Sequence, residues 1–249
     1  MRKGKVYTLD VLEFFKQISD KSVDLIVTDP PYNSNLIKWD KKDNEWQLSW
    51  LNEAYRILKP GGSFYCFFAP MNMFEVEKWF RERMTLKNII VWHHPNLYGA
   101  GQSYGKDRYK STWDVVFYGV KGRKAKHGKN VSSTAYKETG KGFDVMIFPQ
   151  PRPLLHKGQK PLALIERFVI CSSMEGDLVC DPFVGVGTTA IACQRLGRKF
   201  IVNDNNFEFT EITIKRLEVC NDLDELKRLD KELWNLKKNR QVGKIEKRK

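Results

Sequence analysis

The most constraining feature of this sequence is an alternation between short apolar runs typical of β-strands and amphipathic runs typical of α-helices. Residues 22–28, Ser-Val-Asp-Leu-Ile-Val-Thr, are rich in β-branched side chains and stop at Asp29-Pro30-Pro31, where proline cannot donate to a sheet. Strands that alternate with helices predict an α/β fold with a mostly parallel sheet. The predicted strands cover residues 6–9, 22–28, 63–68, 88–92, 113–120, 177–181 and 199–203, and the predicted helices cover 11–18, 46–58, 72–84, 161–173, 187–196 and 206–220.

Residues 221–236 predict one further helix, which carries a narrow apolar stripe among many charges. A helix of this kind most often packs on its own domain, and pairing with a second copy of the chain is the alternative. We therefore predict a main domain over residues 1–220 and a C-terminal helix with a basic tail over 221–249. The stripe consists of Leu223, Leu226, Leu229, Leu233 and Leu236.

Two segments carry the positive charge of the chain, whose formal net charge is +13 over 249 residues. Residues 98–142 hold ten Lys and Arg against three Asp and Glu, and residues 237–249 hold seven against one. The remaining residues are balanced, with 26 of each sign. A neutral body with two basic segments predicts a polyanion partner touched at defined places, or else a solvated loop and a frayed tail.

The composition argues against several classes of protein. With 41% hydrophobic residues, the chain is expected to be globular and not disordered. No stretch approaches the ~18 apolar residues of a membrane span, and the basic N-terminus lacks the apolar run of a secretion signal. The five scattered cysteines form no Cys-x-x-Cys pair, which favours a reducing, cytoplasmic location and predicts no disulfide framework and no metal site.

The first chemistry-bearing segment is Asp29-Pro30-Pro31-Tyr32, which directly follows a predicted strand. Ligands of doubly wound sheets bind beyond the carboxyl ends of the strands. Because proline has no N–H, the carbonyls of Asp29 and Pro30 can face a ligand without competition from their own amides. Acceptors beside the aromatic ring of Tyr32 suit a planar base that bears an amino group. A plain Asp-Pro turn without a ligand is an equally good interpretation of these four residues.

The second segment, residues 181–189, reads Asp-Pro-Phe-Val-Gly-Val-Gly-Thr-Thr and lies between a predicted strand and a predicted helix. Gly185 and Gly187 allow a tight turn and close backbone approach to a ligand. The third glycine of the dinucleotide pattern and the Gly-Lys-Ser/Thr of a phosphate loop are both missing, which predicts a nucleoside-like ligand without a pyrophosphate. Asp204, about twenty residues further on, suits a grip on ribose hydroxyls. An ordinary βαβ turn is the alternative.

The third segment, His-Lys-Gly-Gln-Lys-Pro at residues 156–161, precedes the predicted helix 161–173. The unpaired amides of a helix N-terminus favour an anion such as a carboxylate. Taken alone, the segment is more simply interpreted as a capping turn.

Together the three segments resemble the β class of amino-group DNA methyltransferases, in which an Asp-Pro-Pro-Tyr half precedes the S-adenosylmethionine half and a target-recognition segment lies between them. The resemblance covers residues 5–220 and includes the turn Leu-Lys-Pro-Gly-Gly at 58–62. It implies a Rossmann-like domain with helices on both faces of the sheet and a circularly permuted motif order. It also implies that the basic residues 98–142 form the inserted target-recognition segment.

The resemblance further implies a role for each motif residue. The flipped base is held by the catalytic residues Asp29, Pro30, Pro31 and Tyr32. The cofactor site comprises Asp10 near the adenine, His156, Gln159 and Lys160 near the methionine end, Asp181, Pro182, Phe183, Gly185, Gly187 and Thr188 along the turn, and Asp204 at the ribose. The residues expected to contact DNA are Lys106, Arg108, Lys110, Arg123 and Lys124.

The chain departs from the family pattern at two places: Val184 and Val186 stand where Ser or Met is frequent, and residues 202–205 read Val-Asn-Asp-Asn where Glu or Asp with a following aliphatic residue is usual. Neither change removes a contact named above. A polar segment, residues 33–45, is expected to close over the flipped base.

The function implied is transfer of a methyl group from S-adenosylmethionine to N6 of adenine in a specific sequence of double-stranded DNA, for restriction–modification or epigenetic marking. Methylation of cytosine N4 is the nearest alternative, since the same acceptors suit either amino group. An RNA or protein amide methyltransferase and a catalytically idle DNA-binding module are the remaining alternatives. A homodimer and a cognate restriction endonuclease encoded elsewhere are left open as further partners.

Overall fold

The computed structural model describes residues 4–32, 43–95, 111–127, 143–156 and 158–246. Within these ranges the strands are β1 Gly4–Tyr7, β2 Val23–Thr28, β3 Leu58–Phe68, β4 Thr85–His93, β5 Trp113–Val120, β6 Val145–Ile147, β7 Leu178–Asp181 and β8 Lys199–Asn203. The helices are α1 Val11–Lys16, α2 Asn44–Ile57, α3 Phe74–Arg83, α4 Leu162–Ser172, α5 Thr188–Arg195, α6 Phe207–Val219 and α7 Leu223–Glu246, with a 3₁₀ turn at Pro70–Asn72.

The eight strands form one sheet in the order β1-β8-β7-β2-β3-β5-β4-β6. Only β5 runs antiparallel to its neighbours, and every other pair in the sheet is parallel. The prediction of a mostly parallel sheet is therefore confirmed. Because β2, β7 and β8 are adjacent and parallel, the segments that follow them meet at one edge of the sheet, the edge that the carboxyl ends of these strands form.

Helices cover both faces of the sheet, as the resemblance implies. Strand β3 is a nearly continuous apolar run in the sequence because its side chains alternate between two clusters that are both buried. Tyr65 and Phe67 pack with α4, α5 and α6 on one face, while Phe64 and Phe68 pack with α1, α2 and α3 on the other. Burial on both faces removes the polar positions that a half-exposed strand would show.

The structure differs from the predicted elements in three places. Strand β6 was not predicted, because three residues at a sheet edge with Val145 and Ile147 exposed give no periodic signal. The turn at residues 58–62 lies within β3, where the register with β2 shifts between Val23 and Leu25. Helix α7 extends ten residues beyond the predicted end at 236.

Helix α7 packs on the main body of the fold. Leu226 is buried, Leu233 packs on a small apolar cluster, and Leu223 and Leu236 at the ends of the stripe are exposed. Asp230 forms a two-pronged ion pair with Arg216 of α6, at 2.8 and 3.0 Å. The interpretation that this helix packs on its own domain therefore holds for the central turns of α7. No helix in the described ranges is long and apolar enough to cross a membrane.

Candidate active site

The Asp29 segment and the glycine turn lie next to each other at one edge of the sheet. Asp29 follows β2, and the turn 181–187 follows the neighbouring strand β7, with Ile26 in register with Cys180. A third segment bridges them: a β-carbon on Gly158 would lie 3.3 Å from Asp29 Oδ2, and one on Gly185 would lie 3.9 Å from His156 Nδ1. The three segments singled out in the sequence therefore form one site.

Both oxygens of the Asp29 carboxylate are engaged by side chains. The Tyr32 hydroxyl donates to Oδ1, and the Lys160 ammonium donates to Oδ2. Burial raises the pKa of Asp29 above its usual range, and the neighbouring Lys160 charge and the Tyr32 hydrogen bond oppose that rise. Burial also raises the pKa of Tyr32 well above its usual value, so this phenol is a hydrogen-bond donor at neutral pH.

Side chains from outside the motif fix its backbone. Gln47 Nε2 of α2 donates to the Pro31 carbonyl at 2.6 Å, and Asn72 Nδ2 donates to the Tyr32 carbonyl at 2.8 Å. Residues 31 and 32 lie beyond the end of β2, so these side-chain donors satisfy carbonyls that the sheet does not pair. The buried Pro30 carbonyl has no hydrogen-bond partner within the described residues. It is therefore available as an acceptor beside Asp29.

Tyr32 opens onto a cleft. Its ring lies 5.1 Å from the Phe68 ring, tilted by 47°, and it forms part of the wall of a cavity of about 380 Å³. That volume is within the range of small-molecule sites and exceeds what one nucleobase needs. The other lining residues are Asn44, Gln47, Asn72, Phe74, Glu75 and Val76.

Asp181 organises the glycine turn from beneath. Its Oδ1 accepts from Thr28 Oγ1 at 2.6 Å and from the Phe183 amide at 3.1 Å, and its Oδ2 accepts from Thr189 Oγ1 at 2.6 Å. Burial raises the pKa of Asp181 to about 7. The side chain is only 4% exposed, so it faces the turn and the end of β2 and not an open ligand surface. The resemblance implies that Asp181 lines the cofactor site; in the structure it supports the glycine turn from beneath, and its role towards the cofactor stays a prediction.

The turn itself requires glycine at two positions. Gly187 has φ of +93°, and a β-carbon there would lie 2.7 Å from Thr213 of α6. Gly185 has φ of +54°, and His156 Nδ1 is the nearest atom to its missing β-carbon. No other atom of the described residues lies within 4 Å of that β-carbon position, so the backbone is open to a ligand on that side.

Asp204 follows β8 and holds the turn in place. Its Oδ2 accepts from the Gly185 amide at 3.0 Å, and its Oδ1 accepts from the Asn206 amide at 2.9 Å. Burial raises the pKa of Asp204 above its usual range. Each carboxylate oxygen keeps a second lone pair, so these bonds leave acceptor capacity for a ribose hydroxyl.

The three candidate residues of segment 156–161 contact different parts of the fold. His156 packs edge-on against Phe209 at 4.6 Å, and buried Gln159 accepts from the Leu155 amide at 2.9 Å. Lys160, which the resemblance implies to lie near the methionine end of a cofactor, forms an ion pair with Asp29. The reason is geometric, because Gly158 brings the chain directly beside that carboxylate.

The remaining residues predicted for the cofactor site make contacts within the protein. The Pro182 carbonyl accepts from Asn203 Nδ2 at 3.3 Å, and Thr188 Oγ1 donates to the Lys160 carbonyl at 3.4 Å. The Phe183 ring lies 5.2 Å from the Trp50 ring. Asp10 is exposed and caps α1 through the Leu12 amide at 2.9 Å. Its position after β1, the neighbour of β8, keeps it on the same sheet edge.

Of the predicted DNA-contacting residues, Arg123 and Lys124 lie within the described residues. Lys106, Arg108 and Lys110 lie outside the described residues, as do residues 33–42 of the segment expected to close over the base. Arg123 and Lys124 follow β5, which is antiparallel, so they lie at the opposite edge of the sheet from Asp29. Six residues of β2 at ~3.3 Å each separate the two edges by roughly 20 Å. The expectation that Arg123 and Lys124 contact DNA stays a prediction, with the pair placed at the opposite edge of the sheet from the catalytic motif.

The predicted target-recognition segment 98–142 contains a buried strand of the central sheet. Residues Trp113–Val120 form β5 between β3 and β4, as the strand pattern predicts. The basic surplus is thereby divided into two stretches, one before and one after that strand. At the far edge, Lys126 bonds to Asp24 and Asp177, which explains part of the basic charge as structural.

Sequence reasoning did not single out the residues that support the turn from behind. Arg216 Nη1 donates to the Val186 carbonyl at 2.5 Å, and Thr213 Oγ1 donates to the Gly185 carbonyl at 3.1 Å. Both lie on the buried face of α6 with Ile212 and Leu217. A charged residue at a helical position that otherwise carries apolar side chains was the available signal. Among the described residues, no three His, Cys, Asp or Glu side chains cluster as a metal site would require.

The permuted order of the segments and their shared sheet edge define a Rossmann-like methyltransferase of the amino-group class. Residues 23–215 match the N6/N4 DNA methylase family, and the chain belongs to that family. The resemblance deduced from the three segments is thereby confirmed.

Two curated relatives span most of the chain. It is 32% identical over 272 residues to the DNA adenine methyltransferase YhdJ of Escherichia coli (strain K12), covering 95% of this chain and 91% of that protein. It is 30% identical over 228 residues to the type II methyltransferase M.HpaI of Haemophilus parainfluenzae, covering 84% and 72%.

Solved structures share the fold. The M1.HpyAVI–SAM complex is 25% identical with a TM-score of 0.68, covering 86% of this chain and all of that one. The PvuII DNA methyltransferase, which is cytosine-N4-specific, is 19% identical with a TM-score of 0.71, covering 94% and 93%. The second likeness concerns the fold alone.

Proposed function

We propose that this protein transfers the methyl group of S-adenosylmethionine to N6 of adenine in a specific sequence of double-stranded DNA. The observation that carries the proposal is the path of close approaches from Asp29 to Gly158, from Gly158 to His156 through the Gly158 amide, which donates to Nδ1 at 3.1 Å, and from His156 to Gly185. That path brings an acceptor cluster for an amino group beside a turn suited to a nucleoside. The likeness to a DNA adenine methyltransferase supports adenine as the target.

The residues around the glycine turn fit the cofactor. The Gly185 backbone is open towards His156, and the adjacent Asp204 carboxylate retains lone pairs for ribose hydroxyls. His156 and the 158–161 segment border the same space. We infer that Gly185, Asp204, His156 and Phe183 hold the cofactor, which when bound supplies an electrophilic methyl group on a sulfonium.

Asp29 and the Pro30 carbonyl prepare the amino group for attack. The adenine N6 lone pair is delocalised into the ring, so the free amine is a poor nucleophile. Hydrogen bonds from its two protons to these acceptors draw the nitrogen towards a tetrahedral geometry and localise the lone pair. The ionised Asp29 carboxylate then stabilises the positive charge that develops on the nitrogen. Holding the reacting atoms in line supplies a further part of the acceleration.

The target base must leave the duplex to reach this edge of the sheet. Extrusion of a base costs a few kcal/mol, and stacking on an aromatic side chain returns about 1–3 kcal/mol. Tyr32, whose hydroxyl donates to Asp29, forms part of the wall of the cleft and is the ring that we assign to this stacking.

The nearest second candidate is methylation of cytosine N4. The acceptor pair suits either amino group, and a cytosine-N4-specific methyltransferase shares the fold. An RNA or protein amide methyltransferase is a further alternative. The proposal also includes a role in restriction–modification with a cognate endonuclease, and the formation of a homodimer. The similarity to type II methyltransferases supports the restriction–modification role.

The test is incubation of the purified protein with DNA and S-adenosylmethionine, followed by mass spectrometry of the nucleosides and sequencing of the methylated positions. We expect N6-methyladenine at one recurrent sequence, and loss of at least 10²-fold in rate for Asp29→Ala. Cooperative urea unfolding of the variant serves as the control for folding. N4-methylcytosine as the product would establish the second candidate. Methylation by Asp29→Ala at the wild-type rate, or none by the wild type, would refute the proposal.

A further inference from the structure

The Lys160 ammonium occupies an unusual place for a lysine. Its side chain is only 8% exposed and forms an ion pair with Asp29 Oδ2. It also lies 3.4 Å from the Tyr32 hydroxyl and 3.3 Å from the Gly158 carbonyl. The Phe67 ring centroid is 5.1 Å away. Carboxylate, carbonyl and aromatic face together replace the water that burial removes from the ammonium.

The backbone around Lys160 is fixed in a way that holds this contact. Thr188 Oγ1 donates to the Lys160 carbonyl, and Pro161 follows at the N-cap of α4. The side chain therefore leaves a rigid segment and ends on a carboxylate 131 positions earlier in the sequence. It links the segment that borders the cofactor site to the catalytic carboxylate.

Lys160 supplies the positive charge that balances the carboxylates at and around Asp29. Within the described part of the chain, Asp29 makes an ion pair with no other cation. The charge of Asp114, at the start of β5, disfavours a second negative charge at Asp29, and the charge of Asp29 in turn raises the pKa of Asp181 beneath the turn. His94 lies with its Nε2 atom 3.3 Å from Asp114 Oδ2. The buried thiol of Cys66, whose pKa lies well above its usual value, adds no charge.

We propose that Lys160 is a positioning residue for the methyl transfer, whose ammonium keeps the Asp29 carboxylate ionised and oriented towards the amino group. This inference rests on the proposed function and assigns Lys160 to the catalytic carboxylate, where the resemblance implies a position near the methionine end of the cofactor.

The chemistry of the step requires such a partner. An ionised carboxylate offers about four lone-pair sites, and Lys160 and Tyr32 occupy one on each oxygen. Two sites remain for the amino group. A protonated Asp29 would lose acceptor capacity and the charge that stabilises the developing cation. Burial alone favours that protonated form, and Lys160 opposes it.

The test compares Lys160→Met with the wild type in single-turnover methylation of DNA from pH 5.5 to 9, at saturating S-adenosylmethionine. Loss of the ammonium raises the pKa of Asp29, so the acidic limb of the rate profile is expected to move upward by at least one pH unit. The dissociation constant for S-adenosylmethionine is expected to stay within threefold. Lys160→Arg keeps the charge and is expected to keep the limb within half a unit.

An acidic limb that stays in place in Lys160→Met overturns the inference. So does a tenfold or greater loss of S-adenosylmethionine affinity without a shift of the limb, which would assign Lys160 to the cofactor. If Lys160→Met fails to unfold cooperatively in urea, Lys160→Gln takes its place with the same expected shift. A wild type without activity on DNA refutes the proposed function instead, so the two failures are distinguishable.

A second readout needs neither cofactor nor DNA. Asp29 in Lys160→Met is a buried carboxyl without its counter-ion, so the variant is expected to lose stability relative to the wild type as the pH rises from 5 to 8. The double variant Lys160→Met/Asp29→Asn contains no such carboxyl and is expected to run parallel to Asp29→Asn. Equal pH slopes for Lys160→Met and the wild type would contradict the assigned role.

Discussion

Asp181 gives the chain a pH dependence whose sign is opposite to that of ordinary acid denaturation. Burial raises its pKa from 3.8 to about 7 in the folded state. Between these values the folded state binds the proton and the unfolded state releases it, so stability falls as the pH rises. Three pH units at about 1.4 kcal/mol each amount to roughly 4 kcal/mol, lost between pH 4 and pH 7.

The perturbation that isolates this effect is Asp181→Asn. The amide keeps an acceptor for Thr28 and the Phe183 amide, and its NH₂ can donate to Thr189, whose hydroxyl rotates to accept. The variant therefore retains the turn without the titrating group. Its stability relative to the wild type is expected to increase by about 2.5 kcal/mol from pH 5 to pH 8.

Urea unfolding at fixed pH values across that range measures the difference, and circular dichroism at each pH verifies the folded baseline. Asp224→Asn is the matched control, because Asp224 is 92% exposed and should follow the wild-type curve. If the curves of Asp181→Asn and the wild type run parallel from pH 5 to pH 8, the carboxyl is already ionised at pH 5 and the reasoning from burial fails.

Two further predictions concern the supports of the site and its approach to DNA. Asp230→Ala leaves the Arg216 guanidinium, 4% exposed, without its counter-ion, and is expected to cost about 3–5 kcal/mol in urea unfolding. Replacing the three basic residues of 106–110 by Gln is expected to reduce the slope of log K against log salt for DNA binding by up to about 3. Replacing Arg123 and Lys124 by Gln is expected to leave that slope unchanged, because they lie at the far edge of the sheet.

The controls for these predictions come from the same chain. Asp224→Ala removes an exposed partner on α7 and should change stability by less than about 1 kcal/mol, so an equal cost for Asp230→Ala would refute the buried pair as the cause. Equal losses of salt slope for the two sets of basic residues would show that DNA contacts both edges of the sheet.

Local patterns were sufficient for the elements and for the segments of the site. The apolar run at 22–28 ends at two prolines, and the glycine turn follows a buried strand, so both the strands and the places where they end are determined by short-range chemistry. The α/β class and the adjacency of the segments follow from that alternation. Strand β6 and the length of α7 did not follow, because a three-residue edge strand has no periodic signal and the last turns of the helix lie beyond the leucine stripe.

Tertiary structure alone decided which atoms meet within the site. The sequence placed Lys160 in a cofactor segment, but its contact with Asp29 depends on how residues 131 positions apart approach each other. The sequence did not indicate which edge of the sheet Arg123 and Lys124 would occupy, and the antiparallel direction of β5 placed them at the edge opposite Asp29. Spacing along a chain determines local conformation and the order of motifs, whereas contacts between distant side chains depend on strand direction and register, which no local pattern encodes.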